Sequence, residues 1–245
     1  MMTDNKILLN FAPIHPSWQP LFNDCLATVS PEYLAELETK TDWLPGRDMI
    51  FNAFSKPLPE TKMILFGESP YPRASSANGY AFWDSAVDGL WSEQGLSRAV
   101  NRATSLRNFI KMLLVADGLL SPRDTTQQTI ANLAKDNLVQ EIDELFTNML
   151  DAGFLLLNTS LVLSDKPVRV DAKAWLPFMH QLLIGLKEYN PDLTLILFGQ
   201  IAKKLAAFPI ENYKIFACEH PYNVSFITNE DVIQFFKPFH LLETK

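Results

Sequence analysis

Two cysteines in 245 residues, Cys25 and Cys218, are too few for a disulfide framework and form no metal-ligand spacing. A reducing cytoplasm is the compartment such a chain suits. No apolar run approaches the roughly 20 residues needed to cross a bilayer, which excludes a helical membrane anchor. The opening MMTDNKILLNFAPIHP has no basic stretch followed by a long apolar one, so it is not read as a signal peptide. Basic residues are not in excess: the net charge is −7, mildly against a dedicated nucleic-acid binder, although a local basic rim would escape this test. Repeats and low-complexity tracts are absent. No His/Cys/Asp cluster has the spacing of a metal site, and GESPYPRASSANG lacks the glycine density and Gly-Lys-Ser/Thr ending of a phosphate loop. The remaining composition, 47% hydrophobic and 20% charged, is that of an ordinary globular chain with ample material for a core.

The first 50 residues read as helices. PSWQPLFNDCLATV has helical apolar spacing with Ser17 placed to cap it, and SPEYLAELETK starts with Ser30 as cap and Pro31 in the first turn. Four short apolar runs follow: MILFG (63–67), FLLLN (154–158), LILFG (195–199) and KIFAC (214–218). Each is continuous rather than alternating, which predicts strands buried on both faces of a parallel sheet. Helical patterns lie between them: SLRNFIKMLLVADG, NLVQEIDELFTNMLDAG and WLPFMHQLLIGLKEYN. The expected fold is one α/β domain over residues 1–245, a central four-stranded parallel sheet flanked by helices. The acidic trio Glu141, Asp143 and Glu144 reads as a solvated helix face, as does the pair Lys203-Lys204, with a phosphate rim as the lesser alternative for the lysines. His15, His180 and His240 are scattered and read as incidental.

Ligands of such sheets sit beyond the carboxyl ends of the strands. Those ends carry Gly67-Glu68-Ser69-Pro70-Tyr71, Asn158-Thr159-Ser160, Gly199-Gln200 and Glu219-His220-Pro221-Tyr222, so the fold brings them to one cleft. Phe82 offers a flat apolar face, Asn158 both a donor and acceptors, Tyr71 a rigid wall, and His220 a donor to a developing oxyanion. Together they suit a planar polar heterocycle. Each also has a structural reading: a core aromatic, a loop-satisfying amide, a strand-ending turn, a hydrogen-bonded core imidazole.

The motifs resemble those of the uracil-DNA glycosylases, most closely the main uracil-specific family. FNAFSKPLPETKMILFGESPYPRASSANGYAF keeps that family's F-x-A-F, strand, Gly, Pro-Tyr and G-x-A-F spacing. FLLLNTSL, LILFGQIAKKL and HPYNVS resemble its next three motifs, in order, over about residues 45–240. The resemblance implies that Phe82 stacks on a flipped base, Asn158 reads its edge, and Tyr71 excludes the methyl of thymine. It implies that His220 stabilises charge on the base, that Val224 wedges the duplex, and that Ser225, Gly199, Gln200 and Ser105 touch phosphates. It implies DNA as partner, a monomer, and neither cofactor nor metal.

The departures are equally specific. Ser69 stands where the family has its aspartate, and a neutral hydroxyl can orient water but not offer a full negative charge to a cationic sugar. Glu68 or Asp84 are the candidates to supply the carboxylate. Pro72 and Asn78 replace histidines, NRATSLRNF has lost the family's prolines, and residues 115–145 are longer and more acidic than expected. Two functions follow: a weak glycosylase in which Ser69, Glu68 and His220 carry the chemistry, or a non-cutting protein of the same fold that binds nucleic acid or a protein partner.

Overall fold

The computed structural model describes residues 9–201 and 208–245. After a 3-10 turn at Pro16–Trp18 come helices α1 (Gln19–Leu26) and α2 (Pro31–Thr39). Strand β1 (Met63–Gly67) precedes a small hairpin, β2 (Trp91–Ser92) and β3 (Gly95–Leu96), and four helices: α3 (Arg98–Arg102), α4 (Thr104–Ala116), α5 (Gln127–Ala131) and α6 (Ile142–Asp151). Then follow β4 (Phe154–Asn158), α7 (Val168–Tyr189), β5 (Thr194–Phe198) and β6 (Lys214–Cys218). A 3-10 segment, Val224–Thr228, and helix α8 (Glu230–Phe236) come near the end.

Strands β4, β1, β5 and β6 form the central sheet in that order, with every pairing parallel. Alternate residues feed two cores. Ile64, Phe66, Leu155, Leu157, Leu195 and Leu197 face one packed by residues of α1, α2 and α7. Met63, Leu65, Leu156 and Ile196 face the other, under α4, α6 and α8. Covering both faces is why these runs are continuous. Strand β6 departs from that expectation: Lys214, Ile215 and Ala217 are exposed, Ile215 by 46%, while Phe216 and Cys218 pack inward, Phe216 on Phe235 at 4.1 Å. It is an edge strand with one sparsely covered face.

Other local expectations are adjusted by tertiary bonds. Ser30 caps α2 by accepting the Tyr33 N–H. Ser17 does not cap α1. It bonds His15 Nδ1 and accepts the Leu58 N–H, while His15 caps the 3-10 turn. Helix α7 starts seven residues before Trp175, at Val168. Its fully buried Asp171 accepts from the Ser164 N–H and hydroxyl and from Tyr33. Residues 137–141 stay out of α6 because they pair with the C-terminal tail and with Leu90. Glu144 caps α6 by accepting the Gln140 and Glu141 N–H groups, and Asp143 accepts from the Trp83 indole, so this trio is more than a solvated face. The long 115–145 segment packs on the hairpin, where Gln127 accepts the Leu96 N–H and donates to Asn101. Among the described residues no helix is long and apolar enough to cross a membrane.

Candidate active site

Register does the first work. Gly67 lies directly opposite Asn158 at the carboxyl ends of β1 and β4. A β-carbon on Gly67 would sit 2.2 Å from Asn158 Oδ1 and 2.9 Å from Ala81 Cβ, so only glycine lets the amide lie across the strand end. Thr159 N–H donates to the Gly67 carbonyl, while Ser160 N–H and the Thr159 hydroxyl both donate to that of Glu68. The turn after β1 is thereby held against β4. Asn158 is 4% exposed, and its side-chain amide makes no hydrogen bond to the described residues.

Phe82 has φ +65°, a conformation costly for a bulky residue and here fixed on several sides. The preceding Ala81 N–H bonds the Leu156 carbonyl, and the Phe82 carbonyl accepts from the Tyr71 hydroxyl at 3.2 Å. Burial, with Asp84 nearby, pushes Tyr71 up to about 12, so it keeps that proton at neutral pH. The Phe82 ring meets Phe198 edge-on at 5.5 Å and lies 6.1 Å from His220.

His220 is set by two neighbours. Gly199, at φ +60°, would strike the His220 β-carbon at 2.9 Å if it carried its own. The Tyr222 N–H donates to His220 Nδ1 at 3.0 Å. A ring nitrogen that accepts carries no proton, so Nε2 is the protonated one. Burial lowers the imidazole below its ordinary pKa and keeps it neutral. Glu68, Phe82, Gly199, Gln200, His220 and Tyr222 line one cleft of about 570 Å³. Cys218 also borders it, but burial, with Glu219 nearby, pushes its thiol up to about 12 and leaves it a poor nucleophile.

The uracil DNA glycosylase superfamily model matches residues 55–240, about three quarters of the sequence. The chain belongs to this superfamily. A uracil-DNA glycosylase of Corynebacterium glutamicum is 28% identical over 209 residues, covering 80% of this chain and 75% of that protein. The crystal structure of a UNG from Nitratifractor salsuginis superposes with a TM-score of 0.94 at 42% identity, over 99% of this chain and all of that one. Mimivirus uracil-DNA glycosylase shares the fold, with a TM-score of 0.57 at 18% identity over 88% of this chain and 70% of that one.

Within this glycosylase fold the residues singled out from sequence divide among neighbouring places. Glu68, Phe82, Gly199, Gln200 and His220 share the main cleft, and Asn158 does not line it but lies against Gly67, which does. Tyr71, whose hydroxyl bonds the Phe82 carbonyl, lines a second cleft of about 410 Å³, with Ser105, Arg73, Arg102 and Asp84. Asp84 is therefore turned away from the main cleft: its carboxylate accepts the Ala86 N–H and pairs with Arg73 at 3.4 Å. Ser69 is half-buried between Glu68 and Pro70 and lines neither cleft. Val224 is 70% exposed. The Ser225 hydroxyl already donates to the Glu219 carboxylate, which also accepts from Asn229 at 3.2 Å. Lys203 and Lys204 lie outside the described residues.

Two residues that hold the histidine loop had no role assigned from the sequence. Glu219 ties the loop's start to Ser225 and Asn229. Asn108, buried on α4, donates to the carbonyls of Pro221, Tyr222 and Asn223 at 2.8, 3.3 and 3.3 Å. The available signal was a lone amide inside the apolar run of SLRNFIKMLL. Replacing Asn108 with Ala removes the donor from the Pro221 and Tyr222 carbonyls, while that of Asn223 keeps the Phe226 N–H. The expected cost is about 1–3 kcal/mol of stability by chemical denaturation, with a lower turnover as His220 loses its support.

Proposed function

We propose that the chain hydrolyses the N-glycosidic bond of uracil, or a closely related base, in DNA and leaves an abasic site. The observation that carries this reading is the neutral His220, whose Nδ1 is occupied by the Tyr222 N–H and whose Nε2–H is left for a substrate oxygen beside Phe82. In this reading the extruded base stacks on Phe82, and the unengaged Asn158 amide pairs with its polar edge. Tyr71 closes the side where thymine carries a methyl group. As the bond from sugar carbon to base nitrogen breaks, its electron pair moves into the base. His220 Nε2–H then stabilises the charge that collects on the carbonyl oxygen. Water adds to the sugar carbon and gives its proton to the Glu68 carboxylate or to solvent, with the Ser69 hydroxyl orienting it.

Val224 fills the space vacated in the stack. Ser105 at the start of α4, the Gly199-Gln200 turn and Ser225 contact phosphates, Ser225 after releasing Glu219. The enzyme acts as a monomer in cytoplasmic base-excision repair. Its activity is weak because Ser69 brings no charge to the sugar. The alternative, a member that binds without cutting, is favoured by that same Ser69 and by two carboxylates, Glu68 and Glu219, bordering the cleft.

The test is abasic-site formation in single-stranded uracil-containing DNA, beside an Asn158→Asp, His220→Ala double variant as blank. Release above the blank, raised at least about tenfold by Ser69→Asp, is the expected result. Silence from both the native chain and Ser69→Asp would overturn the enzymatic reading in favour of the binding one.

A further inference from the structure

Among the described residues the two most exposed large hydrophobic side chains are Val224, at 70%, and Tyr222, at 66%. Both project from the loop that carries His220. The backbone beneath Tyr222 is locked: its N–H is bound to His220, its carbonyl and those on either side accept from Asn108, and Glu219 bonds two residues further along. A rigid loop thus holds an aromatic ring in water, and its hydroxyl bonds none of the described residues. Tyrosine has only two side-chain torsions to freeze, so a ring presented in this way meets a flat partner at low entropic cost. Tyr222 borders the main cleft beside His220 and Phe82, whereas Val224 does not.

We propose that Tyr222 is a stacking platform for the nucleobase that flanks the extruded nucleotide on the same strand, engaged where that base is unpaired. The proposal rests on the DNA reading above and extends it to a base contact outside the pocket. Stacking needs only the π-face that every base has, so it is indifferent to sequence. In a duplex the flanking base is already stacked and paired, and releasing it costs energy. In a single strand it is free to settle on the ring. Val224, outside the cleft, is left with the duplex.

The experiment compares the native chain with Tyr222→Ala and Tyr222→Phe on single-stranded and duplex oligonucleotides. Uracil release is measured on deoxyuridine, and binding on an uncleavable 2′-fluoro analogue with 2-aminopurine as the flanking base. Tyr222→Ala is expected to raise KM and Kd on single strands by about tenfold, change kcat little, and alter duplex values far less. Tyr222→Phe restores single-strand binding. Binding of the native chain quenches 2-aminopurine fluorescence, and binding of Tyr222→Ala does not. Equal losses on both substrates, or none, with native binding intact, overturn the proposal and leave the DNA reading standing. If the native chain binds neither oligonucleotide, the DNA reading fails and the proposal with it.

Discussion

Replacing His220 with Ala is expected to lower uracil release by about 100–1000-fold, the usual loss when a donor to a developing oxyanion is removed. Single-turnover rates measure it. The native pH profile carries the same information. Burial holds His220 below its ordinary value of 6.5, so the neutral imidazole persists as the medium is acidified to that point. Below its depressed pKa, a proton on Nδ1 would confront the Tyr222 N–H it now accepts, and the rate should fall as that bond breaks. Stability follows the same group. Because the unfolded chain takes up this proton at a higher pH than the folded one, the His220 contribution is complete above about 6.5 and is lost as pH falls toward the folded pKa. Denaturation midpoints read at several pH values, native against His220→Ala, isolate it. A rate that keeps its native value in His220→Ala would contradict the assignment.

Gly67→Ala is expected to damage both fold and site with a single methyl group. That carbon has Asn158 Oδ1 at 2.2 Å and Ala81 Cβ at 2.9 Å, both on tightly packed supports. Something must move, and overpacking of this kind costs about 1–3 kcal/mol. The side chain that can yield is the Asn158 amide, which bonds none of the described residues, so uracil release should fall toward the background of an Asn158→Ala variant. Combining Gly67→Ala with Asn158→Ala is the control. The shorter side chain removes the 2.2 Å clash, so part of the lost stability returns while activity does not, and the two effects are non-additive. Thermal denaturation and single-turnover kinetics on the three variants separate these outcomes.

The sheet was legible because β1, β4 and β5 are covered on both faces, which leaves an unbroken apolar run in each. The candidate site was legible because parallel strands end on one side, so Gly67, Asn158, Gly199 and His220 had to converge there. Strand β6 misled: apart from Lys214, KIFAC reads as an apolar run like its neighbours, but how far its faces are covered is decided by packing rather than by its residues. The hairpin β2–β3 was invisible, since two-residue strands carry no periodicity. Asp84 looked available from its spacing to Phe82. Its real partner, Arg73, lies eleven residues back, and the turn between them decides which way the carboxylate points. Asn108 and Glu219 act on a loop distant in sequence or across a turn, and such roles belong to the tertiary structure alone.

The exposed edge strand also bears on how the molecule breathes. Asn158 ends β4, which is buried along its whole length, and the Phe82 segment is held to that strand by the Ala81 N–H, whereas His220 follows directly on β6, which leaves much of its surface in solvent. Segments of that kind undergo partial opening at lower free energy than buried ones, and their amides exchange first. Fraying at β6 would therefore detach the imidazole while the base-holding half of the cleft stays folded. On warming, recognition of the base would then outlast the ability to act on it.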